Sequence, residues 1–501
     1  MMKIASPPNR RQVPWPLIAI LALAMLVRLA AIFAAPSLHF WDENFQLFEQ
    51  GHRLAFGYGI STWEFEDGLR SYVLPYALAG VFAASEPIFG GPQGYIHASQ
   101  IVIAALSLAP VAAVYEMGRR TSRTHAVIAG LAAATWFEIV YFSFRPLTEA
   151  MASDFIIVAL ALASALPQTI SRRRLAAIGF CLAFAVMLRV QLAPGVLFVA
   201  AWLCRLDIRT RWAALALGAA PVLVLFGVTD WLTWGAPFSS LVHSVWINLG
   251  RDKASHFGVQ PFYLYPGFMV VFWGPAFPLF IFLAARRLKP SAAWIGFSLI
   301  VIATHSLIPH KEYRFIFPAI ASAVITAAMG SADLVASARA HMTAARGRLL
   351  VAGVAAAWMV TSAALAVSPF FTPNWTRDRT VIEASYWLSR RADLCGVGFS
   401  GTPWYRTGGY SFLHRSVPMY FFKRRQNAQA ETSERDFNYL FLRRSDLGRF
   451  QPDFKPVWCK MDESGMARCL ARRPGGCSPE PGLTPILRVK RLGEGPPETE
   501  D

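Results

Sequence analysis

The sequence predicts a polytopic α-helical membrane protein carrying a small extracytoplasmic α/β domain toward its C-terminal end. Three observations carry that expectation. Of 501 residues, 54% are hydrophobic and only 16% are charged, against roughly 25% charged in soluble domains. The apolar residues gather into blocks close to the roughly 20 residues that a helix needs to cross a bilayer. Short basic runs separate those blocks on alternate sides, as the positive-inside rule requires. The net charge of +17 is therefore read as membrane orientation, and nucleic acid is not expected as a partner.

The first apolar run, 16–35, follows Lys3, Arg10 and Arg11. It is longer than the core of a signal peptide, so an uncleaved first helix with a cytoplasmic N-terminus is expected. Arg28 inside it is costly in lipid and must face protein or water. Further blocks fall at 96–117, 125–142, 150–168, 212–229, 267–284, 291–308, 315–330 and 349–368. The stretch 175–204 is interrupted by Arg189-Val190-Gln191; at about 1.5 Å per residue it can form two short spans turning at Arg189. Counted so, about 11 helices cross. Arg119, Arg120, Arg123, Arg172 to Arg174, Arg205, Arg209, Arg211, Arg286, Arg287, Lys289, Arg339, Arg346 and Arg348 then all lie on the cytoplasmic side.

An odd number of crossings puts the chain after about Thr372 outside. Cys395, Cys459, Cys469 and Cys477 all fall there, while Cys181 and Cys204 lie in apolar blocks. An even set of cysteines in an oxidising compartment suits disulfides, with the pairing left open. Strand-like runs at 395–400 and 439–442 alternate with Gly/Pro turns. The expected division is a membrane domain over 1–371, a soluble extracytoplasmic domain over 372–480, and a Pro-, Gly- and Glu-rich disordered tail over 481–501.

The segment 36–95, the first outer loop, is rich in acids and aromatics, unlike the basic loops opposite. It holds Phe40-Trp41-Asp42-Glu43, Gln46, Glu49, His52, Thr62-Trp63-Glu64-Phe65, Arg70-Ser71 and Pro75. Helical spacing over 42–53 would set Asp42, Gln46, Glu49 and Arg53 on one face. Carboxylates among aromatics at a membrane surface suit a sugar. Glycosyl transfer from a lipid phosphate needs a base for the acceptor hydroxyl proton and cations for the leaving phosphate. Asp42 is the expected base and Glu43 the second candidate. Arg189, Arg314 and Lys311 are expected at the phosphate, and Glu49, His52, Trp63, Glu64 and Arg70 at the substrates. A second cluster, His310-Lys311-Glu312-Tyr313-Arg314-Phe315, squeezes four ionisable residues between two apolar blocks, which demands partners or a ligand.

Taken together, these motifs resemble those of the family 22 glycosyltransferases, the dolichol-phosphate-mannose-dependent mannosyltransferases of N-glycan and GPI assembly with their bacterial relatives. The matching residues are Asp42-Glu43, Thr62-Trp63-Glu64-Phe65, Arg70-Ser71 with Pro75, and His310-Lys311-Glu312 with Arg314-Phe315. Between them, Asp230, Trp234-Gly235, Pro237-Phe238, Asn248, Phe257-Gly258 and Pro261 to Tyr265 resemble the family's central loop. The resemblance implies a GT-C fold, an inverting mechanism with a first-loop aspartate base, a polyprenyl-phosphate-sugar donor, and neither metal nor cofactor. Where the family commonly has His-Pro before the acidic pair, this chain has Phe40-Trp41. The stretch Gly408-Gly409-Tyr410 with His414 resembles bacterial homologues and is expected to cover the site or bind acceptor. The expectation is transfer of a hexose, mannose first, from polyprenyl-phosphate-mannose to a glycan or lipid outside a bacterial inner membrane. A GT-C enzyme using a lipid-linked pentose or uronic acid is the alternative, and a transporter a more distant one.

Overall fold

The computed structural model describes residues 14–34, 36–164, 171–422 and 435–478; the expected disordered tail at 481–501 lies outside them. A helical bundle dominates, and a five-stranded sheet domain follows it.

The first helix, Trp15–Ala34, is apolar throughout except for Arg28. That guanidinium is fully buried and donates to Ser107 Oγ at 2.8 Å and to the carbonyls of Ala24 and Ala134 at 3.0 and 3.1 Å. It faces protein, as a cation at that depth must. The helix Tyr313–Arg339 runs through the centre of the bundle and is the most buried of the long ones. Small residues set the closest helix contact: a Cβ on Gly218 would meet the Ala176 carbonyl at 1.8 Å, and one on Gly179 the Leu215 carbonyl at 1.9 Å. The helices Arg172–Leu188 and Ala213–Trp234 therefore touch backbone to backbone, the small-residue packing that apolar surroundings favour.

Among the described residues, five helices are long and apolar enough to cross a membrane, or six if a bent pair counts as one span. Several blocks expected as single spans are broken. Leu264–Trp273 and Ala276–Ala285 meet at 109°, at Gly274-Pro275, where the glycine takes φ +49°. The stretch 123–142 breaks at Trp136 into Arg123–Thr135 and Phe137–Phe142. The long block 175–204 turns at Arg189, as expected, which leaves helical geometry with φ −147° and ψ 92°. Such breaks are tolerated at membrane depth only where protein or water satisfies the backbone. One helix was not expected: Val73–Phe89, apolar and 17 residues long, lies inside the segment taken as the first loop. Its Pro75 and Pro87 obscured it in the sequence.

The sheet domain contains β1 (Val397–Ser400), β2 (Met419–Phe422), β3 (Tyr439–Arg443), β4 (Lys455–Met461) and β5 (Ala467–Arg472), in the order β2-β1-β3-β5-β4. The first three strands in that order are parallel and the remaining pairs antiparallel. All four tail cysteines are paired, Cys395 with Cys477 and Cys459 with Cys469. The parallel half of the sheet buries Val397, Phe399, Tyr439 and Phe441 against Val381, Ala384 and Leu388 of the helix Arg379–Ser389. Phe45 and Ile60 of the first loop join the same core, so loop and domain are packed as one body.

Candidate active site

The first loop opens with a π-helical turn, Glu43–Phe48, that runs into an α-helix, Glu49–Phe56. A π-turn holds more residues than an α-turn, and this changes which side chains share a face. The sequence places Asp42, Gln46 and Glu49 together. In the structure Asp42 and Gln46 look toward the bundle, while Glu49 is turned into the sheet domain.

Asp42 is held from the bundle side. Arg314 Nη2 donates to its Oδ2 at 2.5 Å, and the same arginine donates through Nε to Glu312 Oε2 at 2.7 Å. Arg314 Nη1 lies 3.8 Å from Glu149 Oε1, which pairs with Arg189 Nη2 at 3.1 Å. Gln46 Nε2 donates to Glu64 Oε1 at 2.8 Å, and Arg70 stands 3.9 Å from that oxygen. Asp42, Glu64, Glu149, Glu312, Arg70, Arg189 and Arg314 thus form one alternating charge network. Burial raises the Glu64 carboxyl, with Arg70 acting against it and the Asp42 charge adding to it. Burial acts upward on Glu312 too, but Arg314 and His310 outweigh it and hold that carboxyl low.

Beside the network opens a cleft of about 650 Å³, its mouth included. Its lining combines apolar Leu74, Met187, Leu188, Phe226 and Leu241 with polar Gln46, Arg70, Ser71 and Arg189. Three buried donors on these lining residues, Arg70 Nε, Ser71 Oγ and Arg189 Nε, have no protein partner among the described residues. Buried donors are normally satisfied, so these three could hold an anion. Ser240, also on the cleft, is fixed by Asp230 Oδ2, which accepts from its N–H at 3.0 Å and its Oγ at 2.6 Å.

The remaining expected residues lie elsewhere. Glu43 is fully buried: Arg145 Nη1 donates to it at 2.9 Å and the His39 N–H at 2.9 Å. Burial raises its carboxyl against the pull of Arg145. Glu49 accepts from the backbone N–H groups of Ile60 at 2.8 Å, Tyr410 at 3.2 Å and Ser411 at 2.8 Å, and burial raises it as well. His52 donates from Nδ1 to the Tyr58 carbonyl at 3.0 Å, which leaves Nε2 to accept from His414 Nδ1 at 3.1 Å; burial lowers its pKa to about 3. Glu43 thus ties the loop to Arg145, while Glu49 and His52 tie it to itself and to the segment around Gly409–Leu413, where the Tyr95 hydroxyl also donates to the Ser411 carbonyl at 2.5 Å. Trp63 stacks on Phe257 of the central loop with Lys253 above its ring. Lys311 donates to the carbonyls of Gln260 at 3.0 Å and Ile308 at 2.5 Å, so its charge closes a loop instead of lining the cleft. His310 Nε2 lies 2.8 Å from Glu312 Oε1 and braces the carboxylate that holds Arg314.

Sequence reasoning missed Glu149 and Arg145. The signal was present, since Glu149 stands at the edge of an apolar block, where an acid calls for a partner.

Residues 17–414 match the Alg9-like mannosyltransferase family. The chain belongs to that family. GPI mannosyltransferase 3 of Yarrowia lipolytica is 27% identical over 399 residues, 76% of this chain and 72% of its own. GPI alpha-1,2-mannosyltransferase 3 of Homo sapiens is 25% identical over 320 residues, 60% of this chain and 55% of its own. Among solved structures, ArnT from Cupriavidus metallidurans, crystallised with undecaprenyl phosphate, superposes with a TM-score of 0.60 at 12% identity, covering 92% of this chain and 99% of that one. That likeness is one of fold. This member of the mannosyltransferase family is a multi-pass GT-C glycosyltransferase.

Proposed function

We propose that this protein transfers mannose from a polyprenyl-phosphate donor to a glycan or lipid acceptor on the extracytoplasmic face of a bacterial inner membrane, with inversion at the anomeric carbon. The observation that carries the donor class is the cleft whose lining joins residues with three unpartnered donors, Arg70 Nε, Ser71 Oγ and Arg189 Nε, to apolar side chains. A lipid phosphate needs both: guanidinium and hydroxyl donors for its oxygens, and an apolar surface for its chain. The names of the relatives support mannose as the sugar. The solved ArnT complex adds that this fold accommodates undecaprenyl phosphate.

In this reading the acceptor hydroxyl oxygen attacks the anomeric carbon while the bond from that carbon to the phosphate oxygen breaks. Asp42 takes the hydroxyl proton, and the phosphate leaves with the bonding electron pair, stabilised by Arg70 and Arg189. Arg314 keeps Asp42 aimed, with Glu312 and Glu149 setting its position. The test is transfer by the purified protein from radiolabelled polyprenyl-phosphate-mannose to a pool of membrane lipids and glycans, with the anomeric configuration of the product read by NMR. Inverted mannoside is the expected product. Label that stays on the polyprenyl phosphate, while a different lipid-linked sugar is transferred, would contradict the choice of mannose.

A further inference from the structure

Outside the cleft, aromatic rings gather around Asp42. Phe40 and Trp41 precede it, and the Arg314 guanidinium that grips Asp42 also covers the Phe40 ring at 4.5 Å. From Phe40 the rings continue to Trp41 at 3.7 Å, then to Tyr405 of the sheet domain at 4.7 Å, then to Trp404 at 6.0 Å. Trp404 and Tyr405 sit on a 3-10 turn, Trp404–Arg406, pinned where Arg406 donates to Asp378 at 2.5 Å and to Glu463 at 2.8 Å. All four rings are only half-buried. The polar contacts that lock domain to loop lie deeper: Glu49, Asn44, Ser411 and Tyr410 are fully buried. Trp41, Trp404 and Tyr405 pack in part on the core that joins loop and domain, Trp404 against Phe45 at 5.2 Å, and their remaining surface stays open beside the base. None of them lines the cleft with the unpartnered donors. Thr402, next to them in the chain, keeps a buried hydroxyl without a protein partner.

We propose that this aromatic shelf is the acceptor subsite, and that it binds a hexopyranose ring by its flat C–H face. The inference rests on the proposed function, because it needs Asp42 to be the base. A pyranose has an apolar face and a rim of hydroxyls. A ring laid on Trp41 and Tyr405 buries that face against aromatic surface and turns its rim toward the Asp42 carboxylate. In-line displacement needs the acceptor oxygen and the leaving phosphate on opposite sides of the anomeric carbon, with the base on the acceptor side, and a sugar ring held beside Asp42 meets that need.

The test is saturation-transfer NMR of the full chain in lipid nanodiscs, without donor, using methyl α-D-mannopyranoside and mannotriose as probes. Trp41→Ala and Tyr405→Leu, the latter keeping apolar bulk but no flat ring, should each weaken sugar binding about tenfold, close to 1.4 kcal/mol. Trp41→Tyr should restore most of it, and Trp458→Ala on β4 should leave it unchanged. Tyr405→Leu should also keep the wild-type melting temperature, which separates lost binding from lost folding. Unchanged binding in Trp41→Ala and Tyr405→Leu, or no binding by the wild type, overturns the proposal. Because no donor is present, neither result depends on whether the donor reading is correct.

Discussion

Asp42 and Glu43 are neighbours in the chain and opposites in setting. The Asp42 side chain keeps 18% of its surface and shares Arg314 with two other acids; Glu43 keeps none and has Arg145 to itself. The same contrast separates Gln46 from Glu49, one on the cleft and the other clamped by three backbone N–H groups of two chain segments. An acid that shares its arginine and remains reachable is free to exchange a proton. An acid whose every oxygen is committed in the dry interior holds architecture. The first division follows from the roughly 100° step between neighbouring helical residues, and the π-turn at Glu43–Phe48 adds the second by turning Glu49 away from Gln46.

The largest effect expected from this division is on rate. Asp42→Asn should lower transfer by about 10³-fold, the scale of losing a general base, with the melting temperature unmoved; steady-state transfer and thermal melting on one preparation check both halves. Glu43→Ala should do the reverse. Removing it leaves Arg145 buried without a counter-charge, a loss of about 3–5 kcal/mol, visible as a lower melting temperature. If Glu43→Gln instead abolished transfer while melting normally, the two roles would have to be exchanged.

Next come the cleft arginines. Arg70→Ala and Arg189→Ala should each weaken polyprenyl-phosphate binding by about 1.5–3 kcal/mol, the value of a hydrogen bond to a charged group. Isothermal titration with undecaprenyl phosphate measures this, and Lys311→Ala is the contrast, expected to leave that affinity near wild type. At the clamp, Gly409→Ala should destabilise by about 1–2 kcal/mol or more from its backbone alone. Gly409 has φ +59°, and a Cβ there would stand 2.5 Å from Glu49 Oε2. Limited proteolysis around the 408–414 segment reports that loosening.

The smallest effect is on acid stability. His52 has its pKa lowered by burial from 6.5 to about 3, so the unfolded chain binds a proton that the folded one refuses. Its contribution is intact above about 6.5 and is lost as pH falls toward about 3. His52→Gln should flatten that part of the curve of melting temperature against pH. An unchanged slope would show that other groups govern it.

Much of this was legible in the chain. Hydropathy and basic runs disclosed a polytopic protein, and the four tail cysteines announced the two disulfides that are present. The break at Arg189 was visible because a cation and an amide interrupt an apolar run. Asp42, Glu64, Arg70, Arg189 and Arg314 come together from positions far apart in sequence: the first three stand out in an acid- and aromatic-rich loop, Arg189 as a break in an apolar run, and Arg314 among charges squeezed between two apolar blocks. What stayed hidden was local geometry. Helical periodicity assumes 3.6 residues per turn, so a π-turn sends Glu49 to an unexpected face. The 109° bend at Gly274-Pro275 and the helix Val73–Phe89 were masked by prolines that read as span interior or as loop. Lys311 reads as a phosphate ligand in sequence because nothing there shows the carbonyls of Gln260 and Ile308 that engage it.

The central claim is that Asp42 performs chemistry and not binding. The most direct measurement compares wild type with Asp42→Asn, in nanodiscs, for two quantities: affinity for undecaprenyl phosphate, and transfer of label from polyprenyl-phosphate-mannose. Equal affinity is expected, with transfer by the variant lower by about 10³-fold. Transfer at the wild-type rate by Asp42→Asn would contradict it and remove Asp42 from the reaction.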